Sequence, residues 1–264
     1  MNLCNKTGVL ALLACAALPA QQLDKGKPYV DQALVALGGD SFLHMQTRAE
    51  HGRVFSFFHD QISGLSIASV YSEYFDQKPP GGLGVREREV FGKKQDWSVL
   101  LLPDQGWEIT FRGARPVEDE TWTKYLQTTE TSIFYFLRER LNEPGLEYDY
   151  IGTDLIEGAQ VDVIDITDAQ GRVIRVSFDH ITHLPVRQVY KWIDPATKYH
   201  NDEVSDYDKY RDAGSGVKWP YTIERERNGY KTYEIFADRV EVNEALPPKT
   251  FDLPAGVKIL HKVE

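Results

Sequence analysis

The last hundred residues of the chain alternate apolar and polar side chains in runs that short turns separate. Residues 221–227 and 230–236 are two such runs, and Asn228-Gly229 lies between them. This dipeptide is the strongest short hairpin signal, because both central residues of a type I′ turn need a positive φ. Consecutive hairpins predict an antiparallel meander with one face toward a core and one toward solvent. The other runs are 161–166, 173–178, 184–192 and 203–210, with Asp168-Ala169-Gln170-Gly171 as a further turn.

The first half of the chain predicts two short helical segments followed by shorter strands. Apolar residues at i, i+3, i+4 and i+7 predict a helix over 29–37, and Gly38-Gly39 stops it. Asp40 is positioned to cap one further turn that reaches Met45. The predicted strands are 53–58, 65–74, 85–91, 97–102 and 107–111.

One long helix is predicted over residues 118–141. Its first turn carries Glu118, Asp119 and Glu120 and its last turn carries two arginines, which suits the helix dipole. We interpret the three carboxylates as a charged helix start and not as a ligand cluster. A stripe at helical spacing follows one face, made by Trp122, Leu126, Thr129, Ile133, Phe136 and Leu137.

Composition fits a folded chain with one core. The chain has 264 residues, of which 42% are hydrophobic, and alternation continues across the long helix without a linker. We therefore predict a single domain over residues 21–264. The formal net charge of −10 disfavours nucleic acid and anionic membrane surfaces as main partners.

The first twenty residues have the pattern of an export signal. Lys6 precedes an apolar run over 8–17 that is too short to span a bilayer, and Ala20 ends a small-residue cleavage site. We predict that residues 1–20 are removed, that the mature chain begins at Gln21, and that the protein is periplasmic. The mature chain would then have no cysteine. Cys15 leaves open the alternative of a lipid-anchored lipoprotein, since residues 12–15 loosely resemble a lipobox.

Several short motifs follow one another along the chain. They are Ala36-Leu37-Gly38-Gly39, 179–187 as D-x-x-T-x-L-P-x-R, 207–211 with 216–220 as Y-x-x-Y-R…G-V-x-x-P, and Val242-Asn243 with Phe251-Asp252-Leu253-Pro254. In this order they resemble the outer-membrane lipoprotein carrier (LolA/LolB-like) superfamily, in its lipoprotein-sorting branch. The resemblance is clearest from residue 146 onward, and each motif alone is turn chemistry plus strands.

The resemblance implies an α+β, mostly β fold. A strongly curved antiparallel sheet would form an unclosed half-barrel, with a helical lid on its concave side. It also implies an apolar cavity for acyl chains of lipoproteins or other lipids, and donor and acceptor proteins in membranes as partners. We expect a monomeric, non-enzymatic carrier. The lining that we predict combines the long helix with the first two strands: Phe55, Phe57, Leu65, Ile67, Trp122, Leu126, Ile133, Phe134 and Leu137.

Two alternatives to a carrier remain open. The same half-barrel could serve as an envelope sensor or protein-interaction module. An exported enzyme would instead carry clustered polar groups in the cavity.

No motif in the sequence favours the enzyme. It contains no nucleophile elbow, P-loop or dinucleotide fingerprint, so no cofactor is expected. His59-Asp60 is interpreted as a turn, and so is Asp179-His180-x-x-His183, because a zinc site needs three or four ligands.

Overall fold

The computed structural model describes residues 24–194 and 197–262. The predicted signal peptide, its two cysteines and most of the sequence around Gln21 lie outside the described residues. Among the residues that are described, no helix is both long and apolar enough to cross a bilayer.

The described residues form one antiparallel sheet of thirteen strands. Neighbouring strands are consecutive along the chain except at one junction, where β1 pairs with β13 and joins the two halves. The order ends at β6 on one edge and β7 on the other, so the sheet is an unclosed half-barrel. The strands are β1 (Thr47–Phe58), β2 (Gln61–Tyr74), β3 (Val85–Phe91), β4 (Trp97–Leu101), β5 (Gly106–Thr110), β6 (Gly113–Pro116), β7 (Glu147–Ile156), β8 (Ala159–Thr167), β9 (Val173–Asp179), β10 (Pro185–Ile193), β11 (His200–Asp212), β12 (Lys218–Arg227) and β13 (Tyr230–Val242).

The hairpin signals of the sequence are confirmed. Asn228 and Gly229 have φ of 53° and 79°, and they connect β12 to β13 with Arg227 opposite Tyr230. The predicted turn at 168–171 is closed by Asp168, whose carboxylate accepts hydrogen bonds from the backbone of Gln170 and Arg172. Short polar side chains that satisfy the backbone locally explain why these turns could be predicted.

The helices lie before β1 and between β6 and β7. They are α1 (Lys27–Leu37), α2 (Asp40–Leu43), α3 (Asp119–Thr131), α4 (Ile133–Tyr135) and a π-helical turn (Phe136–Arg140). Asp40 lies within the first turn of α2, and the N-cap position is Gly39. The helix over 29–37 is confirmed, with two further residues at its start.

The prediction of one continuous helix over 118–141 is wrong. Ser132 is extended, with φ of −63° and ψ of 130°, and it separates α3 from α4. The Ile133 amide donates to Gln188 Oε1 on β10 at 2.7 Å, in place of a carbonyl one helical turn earlier. Thr131 Oγ1 donates to the Gln127 carbonyl, a contact that often accompanies a bend. The break sets the two parts of the helical layer in different environments.

The main core lies between the helical layer and the carboxyl-terminal half of the sheet. Side chains from α1, α2, α4 and the π-helical turn pack against β7 to β13. Its fully buried members include Val30, Leu37, Phe42, Ile133, Phe136, Leu137, Ile164, Val176 and Phe178. This core occupies one side of the half-barrel, and α3 covers the neighbouring side.

Candidate functional site

A cavity of about 340 Å³ lies between α3 and the centre of the concave sheet face. Strands β1, β2, β3, β11, β12 and β13 contribute alternate residues to its wall, while α3 and the break at Ser132 close it from above. A volume of this size is at the lower end of what small-ligand sites occupy. It is therefore the candidate binding site of the molecule.

One part of the wall is aromatic and aliphatic. Phe134 lies at its base, with ring centroids 4.9 Å from Tyr207 and 4.7 Å from Trp219. The aliphatic members are Val70, Val85, Ile223 and Ile235, from four different strands. This part of the wall has the apolar character that the sequence predicts for a lipid site.

The adjoining part of the wall is charged, and it begins where the Arg48 guanidinium lies over the Trp219 ring. Arg48 makes an ion pair with Glu50, and its Nη2 donates to Ser72 Oγ at 2.8 Å. Ser72 Oγ in turn donates to Glu87 Oε2 at 2.8 Å, and that oxygen lies 3.4 Å from Arg48 Nη2. Arg48 and Glu50 are both buried. Because removing charges from water is costly, this network stabilises the cavity only while its members stay paired.

Glu89 lies beside this network with its ionisation suppressed. Burial, together with the neighbouring carboxylate of Glu87, raises the pKa of Glu89 to about 7, against the charges of Arg225 and Arg48. Near neutral pH the Glu89 side chain therefore changes charge inside the cavity. The charged wall has no fixed net charge across the physiological range.

Buried tyrosines complete the wall. Burial raises the pKa of Tyr207 to about 12, so its hydroxyl stays protonated, and it donates to Gln188 Oε1 at 3.3 Å. Burial likewise raises the pKa of Tyr135 to about 12, and the Tyr135 hydroxyl accepts a hydrogen bond from the Gly84 amide at 2.9 Å. These hydroxyls fix the positions of β3, β10 and α4 around the cavity.

A second cavity of about 270 Å³ adjoins the first. The two share Lys124, Thr128, Ser132, Tyr207, Arg225 and Tyr233 in their walls. The second is bounded otherwise by polar and charged residues such as Glu203, Ser205 and Arg227. It extends the first cavity toward β10 and β11 as a polar annex.

The structure separates the predicted lining residues of the helix. Phe134 lines the cavity, whereas Ile133 and Leu137 lie fully buried in the main core. Trp122 and Leu126 are half-buried on α3, and Leu126 packs against Leu83, Val85 and Tyr135. The break at Ser132 causes this separation, since it turns α3 relative to the residues that follow.

The four predicted lining residues of the strands lie on the other face of the sheet. Successive side chains of a strand point to opposite faces, and Arg48, Glu50 and Val70 point into the cavity. By the same alternation Phe55, Phe57, Leu65 and Ile67 face outward. Phe55 contacts Phe236 there, and Leu65 is 63% exposed. The prediction of a strand lining from these four is corrected, because a one-residue offset moves a side chain to the opposite face.

The charged wall was missed from the sequence. The sequence did not single out Arg225, Glu87 or Glu89 as lining residues, yet all three line the cavity. The available signal was the pairing of Arg48-x-Glu50 with Glu87-x-Glu89 on strands that flank β2. In each pair the two charged residues are separated by one residue of the outer face. Charged residues at every second position are also what a strand with one face toward solvent shows, so the pattern alone does not predict a cavity.

The two histidine turns are as predicted. Asp179 accepts hydrogen bonds from the amides of Ile181 and Thr182, and His183 has a φ of 59°. His180 Nδ1 lies 2.8 Å from Asp162 Oδ2, so its partner is a single carboxylate. Within residues 24–194 and 197–262, no group of three His, Cys, Asp or Glu is arranged to hold a metal ion.

The fold is shared with solved structures of low sequence identity. An outer membrane lipoprotein-sorting protein domain from Vibrio parahaemolyticus matches with a TM-score of 0.57 and 10% identity, over 87% of this chain and 97% of that one. A DUF1329 family protein from Desulfovibrio piger matches with a TM-score of 0.58 and 13% identity, over 86% and 97%. A LolA superfamily protein from Nitrosomonas europaea matches with a TM-score of 0.52 and 10% identity, over 86% and 96%. No protein-family model and no curated protein sequence matches the chain.

Proposed function

From the LolA-like fold of this chain, we propose that it is a non-enzymatic carrier that binds an acyl chain of a lipoprotein or lipid in the periplasm. The observation that carries the proposal is the cavity between α3 and the concave sheet face. A similar structure is called an outer membrane lipoprotein-sorting protein domain, which supports the same function. Each methylene that leaves water for the apolar wall contributes about 0.8 kcal/mol. Binding then requires α3 to admit the chain and close over it.

The covering helix is suited to movement. Four of the five α3 residues that line the cavity, Thr121, Lys124, Thr128 and Thr129, are short or polar, and Tyr125 is the one aromatic member. By contrast the segment after Ser132 is anchored in the main core. The break at Ser132 therefore separates a loosely packed cover from a fixed base. A partner that favours the open position would release the ligand.

The charged wall is compatible with a carrier. Clustered polar groups are what an enzyme would show, but Arg48, Glu50, Ser72 and Glu87 are engaged with one another. We propose that they shape and polarise one end of the binding site. A carrier returns its ligand unchanged, so a bound lipid ester should be recovered intact by mass spectrometry. Recovery of the hydrolysed acid and alcohol would favour an enzyme.

The direct test is titration of a fluorescent acyl probe with a matched pair of α3 variants. Thr128 faces the cavity, and Thr123 is exposed on the same helix outside the lining. Thr128→Trp should fill the cavity and weaken probe binding at least about tenfold, which is 1.4 kcal/mol. Thr123→Trp should bind as the unmodified protein does. Absence of probe uptake by the unmodified protein, with its fold checked by circular dichroism, contradicts the carrier function.

A second candidate is an envelope sensor or protein-interaction module. It is favoured by the outer surface of the β1–β2 hairpin, where Ile62, Leu65 and Ile67 are 62%, 63% and 47% exposed. Clustered apolar exposure of this kind marks interaction surfaces in many proteins. Replacing Ile62 and Leu65 with Ser should abolish capture of a partner while acyl-probe binding persists. If the variant captures the partner as well as the unmodified protein does, the sensor or interaction function is contradicted.

A further inference from the structure

Two buried hydrogen-bond donors in the charged wall lack a protein partner. Trp219 Nε1 and Arg48 Nε make no hydrogen bond to any described residue, although Trp219 is 4% exposed and Arg48 8%. Both side chains line the cavity, and the Arg48 guanidinium carbon lies 4.3 Å from the Trp219 ring centroid. Buried donors are nearly always paired, so two beside one cavity point to an acceptor that a ligand brings.

The surrounding charges select the kind of acceptor. The single positive charge of Arg48 is already opposed by Glu50 and by Glu87. Glu89 adds a third carboxyl that ionises near neutral pH. A carboxylate or phosphate brought to this corner would meet negative charge in a medium that screens it poorly. A neutral oxygen acceptor meets the two donors without that repulsion.

Resting on the proposed carrier function, we infer that the site binds a neutral carbonyl, an ester or amide, at the head of its acyl chain. Trp219 Nε1 donates to the carbonyl oxygen, and the chain runs from there along Phe134, Val70 and Ile235. Phe134 touches the Trp219 ring, so the apolar wall begins where the donor ends. The ligand class is therefore an acylated head group and not a free fatty acid.

A competing position for an anionic head group exists at the far side. Lys124 and Arg225 line both cavities, and a carboxylate bound there would place the chain in the opposite direction. Arg225 is faced by Glu89 on β3, and Lys124 by Glu203 on β11. These carboxylates already offset part of the positive charge of Arg225 and Lys124. Comparing an ester with a carboxylate ligand distinguishes the two orientations of the acyl chain.

The test compares three ligands of similar length by displacement of the fluorescent acyl probe at pH 8: methyl dodecanoate, dodecanoate and tridecane. Trp219→Phe keeps an aromatic ring, although a smaller one, and removes the donor. It should weaken the binding of methyl dodecanoate about fivefold, which is the effect of one hydrogen bond, and leave the binding of tridecane unchanged. Trp192→Phe is the matched control, because Trp192 Nε1 is also buried and makes no hydrogen bond within the described part of the chain, but Trp192 lies outside both cavities.

A spectroscopic measurement avoids dependence on the variant's stability. The Trp219 indole N–H resonance, assigned by its loss in Trp219→Phe, should move downfield with methyl dodecanoate and stay in place with tridecane. The inference is overturned if dodecanoate binds more tightly than methyl dodecanoate. It is also overturned if Trp219→Phe weakens the binding of dodecanoate and of methyl dodecanoate by the same factor. Failure of all three ligands to displace the probe, or of the probe to bind, contradicts the carrier function itself.

Discussion

The two parts of the helical layer cover the same sheet in opposite ways. In residues 133–140 the side chains of Ile133, Phe136 and Leu137 are fully buried in the main core. In the thirteen residues of α3, by contrast, only Thr131 is buried. Apart from Tyr125, the residues of α3 that line the cavity are short or polar, so they leave the space that the cavity occupies. The cavity is thus a consequence of composition on one face of α3.

The sheet beneath shows the same contrast. Under the main core its inner face carries Ile164, Val176 and Phe178, which are fully buried and apolar. Under α3 it carries Arg48, Glu50 and Arg225. Apolar residues of similar volume would stabilise the fold as well or better than buried charges. A cluster of buried charges that lines a cavity is typical of a site kept for function.

The largest expected effect comes from removing the same side chain on both parts of the layer. Leu137→Ala should lower the free energy of unfolding by about 2–5 kcal/mol, because it leaves a hole in a dry core. Leu126→Ala on α3 should cost about 1 kcal/mol, since Leu126 is only partly buried. Urea denaturation followed by circular dichroism measures both. Equal costs would show that α3 is packed as tightly as the residues after it.

The next effect concerns Glu89 and pH. Burial and Glu87 raise the pKa of Glu89 from 4.5 to about 7, against Arg225 and Arg48. A carboxyl with a raised pKa contributes stability below its unfolded pKa and loses that contribution as pH rises through the folded value. Glu89→Gln should therefore leave stability at pH 4 nearly unchanged. At pH 8 it should raise the free energy of unfolding by up to about 3 kcal/mol.

The exposed Glu147 on β7 provides the control for that pH dependence. Glu147→Gln should shift the unfolding curve by less than about 0.5 kcal/mol at either pH, as surface substitutions do. The quantity to compare is the difference between each variant and the unmodified protein across pH 4 to 8. A Glu89→Gln difference that stays constant with pH would mean that Glu89 is ionised as an ordinary carboxyl.

The sheet could be predicted from the sequence because its determinants are local. Asn228-Gly229, the Asp168 turn and period-two alternation depend on residues a few positions apart. The outlines of β3 and of the β12–β13 hairpin follow from them directly. The pairing of β1 with β13 is not local, and it was not predicted from the sequence. The short β6 was missed because four residues carry too little pattern.

The site was harder to predict because it depends on which face of the sheet each strand residue points to, and on one contact between residues far apart in the sequence. Large side chains on β1 and β2 suggested a lining, but Phe55 and Leu65 face outward while Glu50 faces inward. Nothing local tells which face of a strand is covered when both carry apolar residues. The helix break depends on Gln188, which lies far along the chain from Ile133. A continuous stripe at helical spacing gave no sign of it.

The smallest expected effect tests how α3 is held over the cavity. Glu130 accepts a hydrogen bond from Arg172 Nη1 at 2.9 Å, and both side chains are about one third exposed. Exposed pairs of this kind contribute roughly 0–1 kcal/mol. Glu130→Gln should therefore leave global unfolding nearly unchanged and loosen α3 locally. Amide exchange in residues 119–131 should rise up to about fivefold, while exchange in residues 133–140 stays the same.

Glu120→Gln serves as the matched variant, because Glu120 is exposed near the start of the same helix. It should leave exchange in both segments unchanged. Because the Glu130 carbonyl also accepts from Arg140 Nη1 at 2.9 Å, the last turn of α3 keeps one connection to the core in either variant. Loosening should then be greatest toward Asp119 and fade toward Thr131. Equal acceleration in both segments would instead mean that the helical layer opens as one unit, and the contrast between its two parts would not extend to motion.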